Sequence, residues 1–68
     1  MSKHIEITLE YGPVLIRTRT QHNSPQTALA WIESSITDQA TSLRRNNHWL
    51  ETIIDGMPLY VHARQVYA

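Results

Sequence analysis

A chain of 68 residues has room for one small domain, whose core must be modest relative to the surface that covers it. With 41% hydrophobic and 18% charged residues it is too apolar to remain disordered, and without cysteine it has neither a disulfide framework nor a thiolate zinc site. Six basic residues balance six acidic ones, so the positive surplus on which generic nucleic-acid or anionic-membrane binding depends is missing.

From His4 to Tyr11 apolar and polar residues alternate, with Ile5, Ile7, Leu9 and Tyr11 on one side and His4, Glu6, Thr8 and Glu10 on the other. This period of two predicts a half-buried strand. The lead-in Met1-Ser2-Lys3-His4 runs directly into that strand rather than into a signal sequence, and the longest apolar run is only Ala28 to Ile32. A cytoplasmic protein without a membrane segment is the expectation.

Gly12-Pro13 fits a two-residue type II′ turn, after which Val14 to Thr20 forms a second strand. Setting Tyr11 opposite Val14 places Leu9 across from Ile16 and Ile7 across from Thr18. On the other face Glu6 meets Arg19 and Thr8 meets Arg17, so Glu6–Arg19, with Glu10 diagonal to Arg17, reads as a surface charge ladder.

Ser24 is a good N-cap acceptor and Pro25 suits the first helical position, so a helix is expected to begin there. Leu29, Ile32, Ile36, Ala40 and Leu43 recur at spacings of three and four, an apolar stripe of roughly five turns. Arg44 and Arg45 then complement the negative end of the helix dipole, and Asn46-Asn47 terminate the helix. Ser34, Thr37, Asp38, Thr41 and Ser42 are indifferent helix formers, which makes this helix dependent on packing. Trp31 falls beside the stripe; it packs at a sheet edge or, if exposed, serves as a contact anchor.

Trp49 to Ile54 and Met57 to Tyr67 predict a second hairpin around Asp55-Gly56, a favoured type I′ pair. With Ile54 opposite Met57, Leu50, Thr52, Ile54, Leu59, Val61 and Ala63 share the core face, leaving Trp49, Glu51, Ile53, Tyr60 and His62 outside. The alternative register would bury Trp49. Pro58 has no N–H and must lie at an edge or just inside the turn. Gln65, Val66 and Tyr67 overhang the shorter partner strand and require a neighbour, either the first hairpin or a second copy of the chain.

Residues 1–68 therefore read as a single α+β domain of ββαββ order: two antiparallel hairpins forming one four-stranded sheet, with a single helix on one face. One helix covers one side of a sheet, so the other side stays open. On that open face Trp49, Ile53, Tyr60, His62 and Val66 join Leu15, Arg17, Arg19 and Arg64. Together with the overhanging Tyr67, these residues are the candidate partner-binding surface, since an open face this apolar calls for a partner.

Aromatics interleaved with arginines also describe platforms for single-stranded nucleic acid. Five of the six basic residues are arginine, which suits specific contacts, but Glu6, Glu10 and Glu51 share the face and compete for them. The histidines His4, His22, His48 and His62 show no sharp ligand spacing, so no metal site is expected. Ser24, Ser34, Ser35 and Ser42 have helical or capping roles, and Gly12 and Gly56 are turn residues; neither an enzyme nor a cofactor is indicated. The resulting expectation is a small non-enzymatic protein-interaction module that self-associates as a homodimer and acts by binding a larger protein partner. Its size and neutrality are those of many phage and mobile-element accessory proteins, inhibitors of host machinery among them. The alternative is a nucleic-acid-binding regulator using Arg17, Arg19, Arg64, Trp49 and Tyr60.

Overall fold

A computed structural model describes residues 3–67; Met1 and Ser2, part of the lead-in considered above, lie outside them. The order is β1 (Lys3–Tyr11), β2 (Val14–Thr20), α1 (Pro25–Ile36), β3 (Thr41–Arg45), β4 (Trp49–Ile54) and β5 (Met57–Tyr67). All five strands form one antiparallel sheet in the order β2-β1-β5-β4-β3. The α+β class holds, but the expected ββαββ order and four-stranded sheet do not: the chain is ββαβββ.

The extra strand comes from the segment read as the end of the helix. α1 stops at Ile36, and the amides of Gln39 and Ala40 both turn back to the Ile36 carbonyl. Ser35 Oγ donates to the Trp31 carbonyl and Thr37 Oγ1 to the Glu33 carbonyl, the competing side-chain bonds that weaken serine- and threonine-rich helix ends. Ala40 and Leu43 thus recur at helical spacing without being helical. Leu43 instead packs against the core from β3, where β-branched Thr41 and the partner β4 favour an extended chain. Arg44 and Arg45 sit in that strand rather than at a helix end, paired with Glu51 and Glu33. Asn46 shapes the β3–β4 turn, its side-chain oxygen accepting from the amides of His48 and Trp49 at 2.8 and 2.9 Å.

Elsewhere local chemistry decides the structure as anticipated. Tyr11 faces Val14 and Ile54 faces Met57. Gly12 has φ 58°, while Asp55 and Gly56 at 52° and 75° supply the two positive φ values of a type I′ turn. The N-cap forms at Ser24, whose Oγ accepts from the Thr27 amide. The overhanging end of β5 finds its neighbour in β1, with His4 opposite Val66 and Lys3 opposite Tyr67. Pro58 is accommodated because the β1–β5 register ends at Tyr11 opposite Leu59, one residue short of it.

Ile5, Ile7, Leu50, Leu59, Val61 and Ala63 form a core beneath Ala28 and Leu29 of the helix. α1 lies over β5 and β4. Twelve residues make a rod about 18 Å long and about 10 Å wide, which spans two or three strands spaced at about 4.8 Å but not five. The β2 side of the sheet is consequently left uncovered.

Candidate interaction surface

Strand alternation carries Trp49, Ile53, Tyr60, His62, Arg17, Arg19, Arg64 and Val66 to the face opposite the helix. Tyr67 falls on the other side of β5, beside Gln65, and is exposed. The registers of adjacent strands align these residues in rows across the sheet. One row runs Arg19–Glu6–Arg64, the next Arg17–Thr8–His62–Trp49, and a third Leu15–Glu10–Tyr60–Glu51–Arg44.

Within these rows Trp49 and Tyr60 are diagonal neighbours on β4 and β5, stacked with centroids 6.5 Å apart and planes at 24°. Ile53 is exposed beside them. Two ion pairs flank the rings: Arg44 with Glu51 at 3.6 Å, and Arg64 with Glu6 at 2.8 Å. The second departs from the expected charge ladder. Glu6 has Arg19 opposite it on β2 and Arg64 opposite it on β5, and it is Arg64 that engages Glu6, through Nε and Nη2. Among the described residues, Arg17, Arg19 and Glu10 are left without an ion-pair partner.

A second surface lies on the helix side. Leu9, Tyr11, Val14, Ile16, Ile54 and Leu59, with Gln39 and Asp55, line an open groove of about 510 Å³ beside β2, and Tyr11 Oη donates to the Ile54 carbonyl at 2.8 Å. Val14 and Ile16 are 46% and 49% exposed here, and Leu15 is 61% exposed on the opposite face. Val14 and Ile16 share the face of Tyr11 and Leu9, as the hairpin register predicts, yet stay exposed. The usable signal was geometric: once the sheet has a fifth strand, one helix is too narrow to cover it, and the strand farthest from the helix must be bare.

The histidines remain dispersed. His22 packs against exposed Trp31 at 5.8 Å, His48 lies in the β3–β4 turn, and His4 and His62 pair with different residues along the sheet. Among the described residues no three His, Cys, Asp or Glu side chains converge on a metal-sized site, and no helix is long and apolar enough to cross a membrane. No protein-family model matches this chain, nor does any curated protein or solved structure match it significantly.

Proposed function

We propose that this chain is a non-enzymatic protein-interaction module that self-associates and works by occupying a surface on a larger protein partner. The observation that carries this reading is β2, whose residues Val14 to Ile16 are exposed on both faces of the sheet. A row of large aliphatic side chains in water along a strand with one neighbour is costly in a monomer, and an incoming surface removes that cost. The stacked Trp49 and Tyr60, with Ile53, supply a second contact area of the aromatic kind enriched at binding hot spots.

A second reading, a nucleic-acid-binding regulator, is favoured by one observation: Arg17 and Arg19 project from the sheet face without carboxylate partners among the described residues. The two readings separate by salt. Apolar association measured by light scattering over a concentration series persists in high salt, and a change in tryptophan emission accompanies partner binding at Trp49. Binding to single-stranded DNA or RNA would instead weaken steeply with salt and further in Arg17→Ala/Arg19→Ala. A monomer that shows that behaviour overturns the interaction-module reading.

A further inference from the structure

We infer that β2 pairs with β2 of a second copy about a two-fold axis at Ile16, joining two five-stranded sheets into one of ten strands. The inference rests on the self-association proposed above and specifies its surface and register.

The backbone limits the choices. In a hairpin closed by a two-residue turn, the pair next to the turn is hydrogen-bonded and alternate pairs follow. The second hairpin obeys this rule: beyond its β4–β5 register, Ala63 N–H donates to the His48 carbonyl at 2.8 Å, in phase with Ile54–Met57 at the turn. Applied to the first hairpin, the rule directs Val14, Ile16, Thr18 and Thr20 toward β1. The N–H and C=O groups of Leu15, Arg17 and Arg19 therefore point out of the free edge.

A symmetric antiparallel partner must bond to those three residues. Centring on Arg17 sets Arg17 against its own copy, and centring on Thr18 sets Arg17 against Arg19 twice, both with like charges opposed. Centring on Ile16 avoids this. Leu15 then exchanges hydrogen bonds with Arg17 of the other copy, Val14 faces Thr18, and Ile16 meets Ile16 in the closer, non-hydrogen-bonded type of pair. The register ends at Pro13, which has no N–H to offer, and stays clear of the Gln21–Ser24 connection at the far end of β2.

Side chains on the helix side agree with this centre. On the helix side the two grooves meet, so Val14 and Ile16 of each copy lie beside those of the other, continuous with Leu9 and Tyr11. On the opposite face the row Glu10–Leu15 continues into Arg17 of the second copy. Glu10 and Arg17 of the second copy then share one row across Leu15, two strands apart, while the two Arg17 side chains lie diagonal rather than opposite to each other.

Ile16→Cys tests the axis directly, because the chain contains no other cysteine. Cα atoms in a non-hydrogen-bonded pair are about 4.5 Å apart, within the disulfide range. Mild oxidation is expected to link two Ile16→Cys chains rapidly, whereas Thr18→Cys, displaced from its own copy by about 13 Å along the strands, stays unlinked. Leu15→Pro deletes an N–H that serves only the second copy and is expected to yield a folded monomer by light scattering and circular dichroism. A dimer that retains its mass in Leu15→Pro, or that links Thr18→Cys as readily as Ile16→Cys, overturns this pairing but leaves self-association standing. A monomer throughout the concentration series overturns both.

Discussion

The two edges of the sheet are built on opposite plans. β3 is short, bulged and tied down: the register shifts between Thr41 and Arg44, Ser42 adopts φ 56°, and Thr52 Oγ1 donates to the Thr41 carbonyl at 2.7 Å. Its arginines reach inward to neighbouring elements, Arg45 to Glu33 of α1 at 2.9 Å and Arg44 to Glu51 of β4. β2 has an unbroken register, aliphatic residues on both faces, and two arginines without ion-pair partners among the described residues. Bulges and charge are the usual means of blunting a sheet edge against further pairing, and a long regular apolar edge invites it. One edge of this sheet is blunted and the other is not.

The contrast should be largest in the packing beneath each edge. Leu50 is fully buried on the β3 side, so Leu50→Ala is expected to cost about 2–5 kcal/mol in urea unfolding. Ile16→Ala, measured at a concentration where the chain is monomeric, is expected to cost less than about 1 kcal/mol, because its side chain is already half in water. Equal losses would mean that the β2 side is covered in solution. Thr52→Val keeps the shape of a buried side chain but removes its hydrogen bond to the Thr41 carbonyl, and a loss of about 0.5–1.5 kcal/mol with faster amide exchange in β3 is expected. No change in exchange would show that this hydroxyl does not secure the edge.

Ser42→Gly probes the bulge from the other direction. Glycine adopts positive φ without steric cost, so a gain of up to about 1 kcal/mol in the unfolding midpoint experiment is expected, whereas Ser42→Val should destabilise. If Ser42→Gly destabilises, the bulge owes its stability to the serine side chain. Arg45→Ala gives the smallest effect, about 0.2–1 kcal/mol and diminished by salt, since its pair with Glu33 is partly solvated. A larger loss would mark the arginine stem as a packing element of the β3 edge.

The folded chain also separates what was legible in the residues from what was not. Both two-residue turns, both hairpin registers and the helix start depend on local chemistry: Gly12-Pro13, Asp55-Gly56 and Ser24-Pro25 act within a few residues of themselves. Alternation then assigned Leu50, Thr52, Leu59, Val61 and Ala63 to the buried face and Trp49, Tyr60 and Arg64 to the opposite one. The helix end was not legible in the same way. Ala40 and Leu43 satisfy a helical period, and only the pairing of Thr41–Arg45 with β4, a contact between segments joined by a turn at Asn46, makes the extended form the better one. Ion pairing was equally nonlocal, Glu6 having Arg19 and Arg64 on either side and taking the second.

The amino-acid order by itself determined the turns, the hairpins and the inward and outward faces, because each is set by backbone preferences and by a period of two that neighbouring residues enforce. Tertiary structure alone decided the fifth strand and the uncovered β2 edge. Whether a segment is helix or strand at equal local preference depends on which partner it finds, and which strand stays bare depends on where a helix narrower than the sheet comes to rest.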